Sequence, residues 1–139
     1  MPRSVKPAAK DRAKAGLNLA ARTAATVSLL DRIAQSPQPA DAVIAAFLRQ
    51  TPELAGADRG QVLYLVDRVL HRRGALDWWI ARGGQGLTGG GRTWLIAYMA
   101  LVDGRSADAI GRAFVVPGSS GLGGREQSLA VALAGKALL

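Results

Sequence analysis

The sequence predicts an all-α domain, and three observations support that prediction. Apolar residues recur at helical spacing in several segments, and capping residues, prolines or glycines separate these segments. No long stretch alternates polar and apolar residues with the period of two that is typical of half-buried strands. The chain of 139 residues is long enough for one core and shows no internal repeat. We therefore expect a single bundle of helices around one core.

Residues 1–17 are basic and show little apolar periodicity. They carry five bases against one acid, a net charge of +4, which is half of the formal charge of +8 on the whole chain. A segment with so few apolar side chains cannot form a core of its own. We expect a flexible basic arm here, followed by a helical domain over residues 18–139. The bases of the arm are Arg3, Lys6, Lys10, Arg12 and Lys14.

Two helices are predicted directly after the arm. Asn18 can cap the first, which continues to about Gln35 and carries Arg22 away from the centre of its apolar face. A turn with two prolines follows, and a second helix is predicted over residues 40–50. Pro52 disfavours helical geometry at the residue before it and so ends this helix.

The third predicted helix is the best specified element of the chain. Asp58 is expected to cap its N-terminus, and Gly74 is expected to end it in a left-handed conformation. Its apolar residues occupy less than half of the circumference, so a polar side faces away from the core. The basic residues on that side and at the helix end are Arg68, Arg72 and Arg73. A short helix over residues 76–82 follows.

The segment 94–102, after a glycine-rich loop over residues 83–91, is apolar on nearly every side. A helix with so little polar surface belongs at the centre of a bundle, and Gly104 is expected to end it. It is also far shorter than the roughly 18 residues that a membrane span needs. The N-terminus lacks the apolar stretch of a secretory signal, so we expect a cytoplasmic protein with no membrane partner.

The last third of the chain is expected to form two more helices. Ser106 can cap the first, over residues 107–114. A second glycine-rich loop, residues 117–124, leads to a final helix over residues 125–139, in whose first turn Glu126 is favoured by the helix dipole.

The first glycine-rich loop has the GxGxxG spacing of a dinucleotide-binding turn, at Gly84, Gly86 and Gly89. That spacing has meaning only between a strand and a helix, and no strand is predicted before it. We therefore interpret it as a flexible interhelical loop. No cofactor is expected, and neither glycine cluster resembles an S-adenosylmethionine site.

Residues for catalysis or metal binding are scarce. The chain has no cysteine, which excludes a thiolate ligand or nucleophile, and His71 is the single histidine. We expect His71 to be a solvated surface residue. The ten carboxylates are scattered, and no pair suggests acid–base chemistry. We predict no catalytic and no metal-binding residue, and no enzymatic activity for this chain.

The excess of positive charge favours a polyanionic partner, above all RNA. Arginine is suited to phosphate because its planar donors can bind two oxygens at once. An ordinary solvated surface explains the same residues about equally well. The predicted RNA-binding residues are Arg3, Lys6, Lys10, Arg12, Lys14, Arg22, Arg68, Arg72 and Arg73.

The third predicted helix and its flanks also carry a family resemblance. The residues concerned are Asp58, Arg59, Leu65, Val66, Val69, Leu70, His71, Arg72, Arg73, Leu76 and Asp77. They resemble the signature helix of the NusB-like fold, in particular that of the N-terminal domain of the RsmB/Sun family of rRNA cytosine-5 methyltransferases. The resemblance implies a NusB-like bundle of about six to seven helices that binds rRNA without catalysis.

By the same resemblance, we expect the chain to be the N-terminal part of a longer methyltransferase and to dock against its catalytic domain. The catalytic domain of that family needs an S-adenosylmethionine motif and two cysteines, which this chain lacks. One alternative is a stand-alone NusB-type antitermination protein, which the resemblance pairs with RNA and a ribosomal protein. A helical protein-interaction module without a nucleic-acid role is the other alternative.

Overall fold

The computed structural model describes residues 18–115 and 121–136, and the predicted basic arm lies outside them. The described residues form seven α-helices and no strand, which confirms the all-α prediction of six to seven helices. In chain order these are α1 (Leu19–Gln35), α2 (Ala40–Gln50), α3 (Gly56–His71), α4 (Arg73–Gly83), α5 (Gly91–Leu101), α6 (Ala107–Ala113) and α7 (Gly124–Leu133).

Helix α5 is the centre of the bundle. Every residue from Thr93 to Leu101 is buried, and α5 packs against α1, α3, α4, α6 and α7. Burial on all sides explains why its sequence is apolar nearly all round, since no face meets water. The prediction of a central helix in this segment is confirmed. Helix α2 is peripheral and packs on α1.

The predicted caps of α1 and α6 are confirmed. The side-chain oxygen of Asn18 accepts a hydrogen bond from the Ala21 amide at 2.8 Å, and Ser106 Oγ accepts one from the Ala109 amide at 3.1 Å. Each cap satisfies a backbone donor that the first helical turn leaves without an intrahelical partner. Local sequence therefore fixes both helix starts.

Both predicted boundaries of α3 are wrong. The N-cap is Ala55, and Asp58 lies inside the first turn, where its carboxylate faces Arg22 of α1 at 3.8 Å. Gly74 lies inside α4, because the chain leaves α3 at Arg72 and starts α4 at Arg73 without a left-handed residue. The bend between these helices occurs at Arg72, with φ −108° and ψ 8°.

Two further helix ends differ from the prediction. Helix α4 begins at Arg73, three residues before the predicted start at residue 76. Helix α7 ends at Leu133 and not near residue 139, since residues 134–136 are not helical and Gly135 adopts a φ of +81°. A left-handed glycine of this kind is a common helix terminator.

The loop between α4 and α5 uses its glycines for close packing. A side chain at Gly91 would begin 2.5 Å from the Val27 carbonyl oxygen of α1, and one at Gly89 would overlap the Asp77 carboxylate. Gly86 has a φ of +92°. Because α4 precedes this loop, the dinucleotide spacing lacks its strand, which confirms the interhelical loop.

Candidate nucleic-acid interface

A small cavity of about 180 Å³ lies between α1, α3 and the C-terminal end of α5. Apolar side chains of Val62, Leu65 and Met99 line it, and Arg22, Gln61, Asp103 and Arg105 supply polar groups. Leu19 also lines it, so the cavity opens beside the point where the basic arm joins the domain. Two arginines therefore converge at the root of the arm.

Arg22 is held loosely at this cavity. Its Nη1 donates to the side-chain oxygen of Gln61, and its Nε lies 3.8 Å from the Asp58 carboxylate, beyond hydrogen-bond distance. This Nε is buried and makes no hydrogen bond. Nε therefore contributes a charge attraction to Asp58 and no hydrogen bond.

Arg105 is a residue that sequence reasoning missed. It follows Gly104, whose φ of +67° turns the chain back at the end of α5. The Arg105 amide donates to the Met99 carbonyl at 2.9 Å, and its Nε lies 3.8 Å from Asp103. Nothing in the local sequence distinguishes Arg105 from other exposed arginines, because the cavity that it lines is completed by residues from α1 and α3.

Arg68 lies on α3 and contacts Tyr98 of α5. Its Nε donates to the hydroxyl of the buried Tyr98 at 2.6 Å, and its guanidinium lies 5.3 Å from the ring centre of Tyr64. The hydrogen bond with Tyr98 raises the pKa of Arg68 above its ordinary value, and nearby Asp103 adds a smaller effect in the same direction. Arg68 is thus a fixed positive charge beside an exposed tyrosine, since 62% of the Tyr64 surface is accessible.

Arg72 and Arg73 occupy the junction between α3 and α4. The Arg73 guanidinium lies 5.6 Å from the ring centre of Trp94, one helical turn before Tyr98 on α5. Arg72 contributes its backbone, with an amide that donates to the Val69 carbonyl at 3.0 Å. The predicted arginines are therefore near one another but make different contacts.

Together these residues form a row along α5, here called the arginine row. Arg73 contacts Trp94 and Arg68 contacts Tyr98, and one turn of α5 separates the two aromatic residues by about 6 Å along the axis. The negative charge of Asp103 interacts with Arg68, and Asp103 also lines the cavity at the root of the arm. The row therefore continues from Arg68 to that cavity. Its members are Arg73, Arg68, Arg22 and Arg105.

A different arginine forms the tightest ion pair in the described residues. Arg92 donates through Nε and Nη2 to the two carboxylate oxygens of Glu126, both at 2.8 Å. The same Nη2 donates to the Gly121 carbonyl at 3.0 Å, and the guanidinium lies 4.8 Å from the ring centre of Phe114. Glu126 also accepts from the Gly123 amide, which caps α7. This pair holds α7 to α5.

Hydrogen bonding favours the charged forms of both Arg92 and Glu126. The hydrogen bonds from Arg92 lower the pKa of Glu126, and the Gly123 amide acts in the same direction against the opposing effect of burial. Hydrogen bonding to Glu126 raises the pKa of Arg92. The prediction that Glu126 lies in the first turn of the last helix is confirmed, whereas its partner Arg92 was not foreseen.

The remaining titratable groups form no compact centre. Within residues 18–115 and 121–136, no three His, Asp or Glu side chains lie close enough to hold a metal ion. His71 is exposed, as expected, and its Nδ1 lies 2.8 Å from the Asp67 carbonyl oxygen. None of the described helices is long and apolar enough to cross a membrane.

Comparison with known proteins gives no relative from which a role can be transferred. No family model, characterised protein or solved structure matches the chain. The resemblance to the NusB-like fold stays a prediction, and function has to be argued from the residues themselves.

Proposed function

We propose that this chain is a non-catalytic RNA-binding domain whose arm and arginine row contact the phosphates of one RNA strand. The observation that carries the proposal is that Leu19, the residue after Asn18, lines the same cavity as Arg22 and Arg105. The arm adds a net charge of +4 directly before this point. Because the arm joins the domain at this cavity, the arm and the four arginines of the row, which face Asp58 and Asp103, offer a combined positive charge to a polyanion.

The loose carboxylate contacts of the row favour this role. Arg22 and Arg105 each lie 3.8 Å from a carboxylate, compared with 2.8 Å in the Arg92–Glu126 pair. A phosphate that accepts two hydrogen bonds from one guanidinium competes well with a partner at the longer distance. Arg68 has the Tyr98 hydroxyl, a neutral group, as its hydrogen-bond partner, so its charge stays available.

We further propose, from the family resemblance, that the RNA is ribosomal and that the chain is the N-terminal module of an S-adenosylmethionine-dependent rRNA cytosine-5 methyltransferase in the cytoplasm. The catalytic domain would then be a docking partner. A genomic reading frame that stops without such a domain would contradict this part of the proposal and favour the antitermination protein with its ribosomal-protein partner. RNA binding itself does not depend on that outcome.

Fluorescence anisotropy with a labelled single-stranded RNA, titrated at several salt concentrations, tests RNA binding. The double variant R22Q/R105Q is expected to bind at least ten-fold more weakly at low salt. Its slope of log K against log salt should be smaller by about 1.4, because each phosphate contact with a single strand contributes about 0.7.

The matched control is R49Q/R112Q, which removes the same charge from exposed positions on α2 and α6 that do not line the cavity. It is expected to lose affinity less than three-fold. Equal losses of RNA affinity in the two double variants would show that binding depends only on net charge. That result would contradict the arginine row as the binding surface. No binding by the unaltered chain at low salt would refute RNA binding and favour a protein-interaction role.

A further inference from the structure

The solvent-facing side of α4 carries an aromatic residue, Trp78, that is not packed in the core of the bundle. Trp78 has 49% of its surface exposed, although indole is among the most favourable groups to bury. The Arg82 guanidinium lies 3.4 Å from the centre of the Trp78 ring, and Arg82 Nη1 donates to the Trp78 carbonyl at 3.0 Å. The guanidinium is thus stacked on the indole and fixed at a second point. We call these two residues the Trp78 platform.

The surroundings leave the platform accessible. Gly74, Ala75 and Ala81 occupy the neighbouring helical positions and are exposed, so no large side chain stands beside the indole on α4. Trp79 packs its ring against Trp78 at 77° with 5.1 Å between ring centres, which restricts rotation of the indole. A planar ligand could therefore approach the stacked Trp78 and Arg82 side chains without a clash with large side chains on α4.

Arg82 gives the platform itself a positive charge. No ion pair joins Arg82 to a carboxylate among the described residues. The nearby Asp77 carboxylate accepts from Trp94 Nε1 at 2.7 Å and so is already used within the fold. An anionic partner is favoured over a neutral or basic one.

We infer that the Trp78 platform stacks an unpaired base of the bound RNA, with the stacked guanidinium of Arg82 supplying positive charge beside that base. The inference rests on the proposed function and extends it, because the arginine row explains phosphate contacts and no base contact. Stacking suits every base, since each has an aromatic face. It would give the domain a preference for single-stranded over double-stranded RNA.

The test uses the full chain with a single-stranded RNA and compares Trp78→Ala, Trp78→Phe and Arg82→Lys. W78A is expected to weaken binding about ten-fold, W78F less, and R82K several-fold, because lysine keeps the charge but has no plane to stack. All three should keep the salt slope of the unaltered chain within about 0.5, because the number of phosphate contacts does not change. The matched control is Val131→Ala on α7, an exposed apolar side chain at 59% accessibility, which should not change affinity.

Fluorescence gives a second readout. Of the three tryptophans, Trp94 is 4% exposed and Trp79 is half-buried beside Trp78, so saturation with RNA should quench mainly the Trp78–Trp79 pair, and W78F should lose a large part of that quenching. An RNA without bases should bind the unaltered chain and W78A equally, because only phosphate contacts remain.

Three results would overturn the platform. One is an RNA affinity of W78A equal to that of V131A while the unaltered chain still binds RNA. The proposal for the arginine row would not be affected by that result. Another is an equal loss for W78A with the base-free RNA. A third is a concentration-dependent dimer that W78A abolishes, which would make this patch a contact between two copies of the chain. Failure of the unaltered chain to bind RNA refutes the proposed function itself.

Discussion

Two arginine–carboxylate contacts of this domain look alike in the sequence and differ in the fold. Arg92 donates two hydrogen bonds of 2.8 Å to the Glu126 carboxylate, and the same guanidinium donates to the Gly121 carbonyl. Arg22 lies 3.8 Å from Asp58, and its buried Nε makes no hydrogen bond. The comparison teaches that a guanidinium with its donors satisfied inside the protein has a structural role. The Arg22 guanidinium lines a cavity, and its carboxylate contact is longer, at 3.8 Å against 2.8 Å.

The largest expected effect is on stability when the tight pair is broken. Arg92→Ala removes the paired hydrogen bonds to Glu126, the bond to Gly121 and the contact with Phe114. Its free energy of unfolding is expected to fall by about 2 kcal/mol, because Glu126 keeps only its cap of α7. Urea denaturation measures the change, with R112A as the exposed control, which should lie within about 0.5 kcal/mol of the unaltered chain. If R92A had a free energy of unfolding similar to that of R112A, Arg92 would not have the structural role assigned to it.

Acid should weaken the same pair. The pKa of Glu126 is lower in the folded chain than its unfolded value of 4.5, so the stability it contributes is present above pH 4.5 and is lost as the pH falls through the lower folded value. Glu126→Gln should therefore be less stable than the unaltered chain at pH 7, and the difference should shrink below pH 4.5. Thermal melts of both proteins between pH 2.5 and 7 would show this. A difference that does not change with pH would mean that Glu126 acts through its cap and not through its charge.

The smallest effect on stability is expected at the loose contact. Arg22→Gln gives up a bond to Gln61 and a distant attraction to Asp58, but it also removes a buried donor without a partner. These effects oppose each other, and we expect the free energy of unfolding to change by less than about 0.5 kcal/mol. Urea denaturation at low and high salt tests this, and a loss as large as that of R92A would make Arg22 a structural residue.

Most of the helical framework could be predicted from the sequence. Helix α2 has the predicted bounds, Asn18 and Ser106 cap the predicted helices, and the apolar segment after the first glycine-rich loop is the central helix α5. These features depend on neighbouring residues, which periodicity and capping chemistry describe well. The predictions for Asp58 and Gly74 were wrong, because Asp58 lies in the first turn of α3 facing Arg22 and Gly74 lies inside α4, and local sequence excludes neither position.

The candidate site could be predicted only in part. Arg22, Arg68 and Arg73 were identified from charge and helical position, and the structure adds what each contacts. The stack of Arg82 on Trp78 had a usable pattern in the sequence, since the two residues are four apart on one helix. The cavity position of Arg105 had none, because it depends on residues from α1 and α3.

The sequence by itself therefore determined the helices, the identity of the central one and the excess of positive charge. Only the tertiary structure decided that Arg92 has Glu126 as its partner, 34 residues away, while Arg22 faces Gln61 across 39 residues and leaves a donor unused. The physical reason is the sequence separation over which each kind of interaction acts. Helix formation follows from backbone bonds and side chains within about four residues, whereas a guanidinium finds its partner only after packing has brought distant helices together.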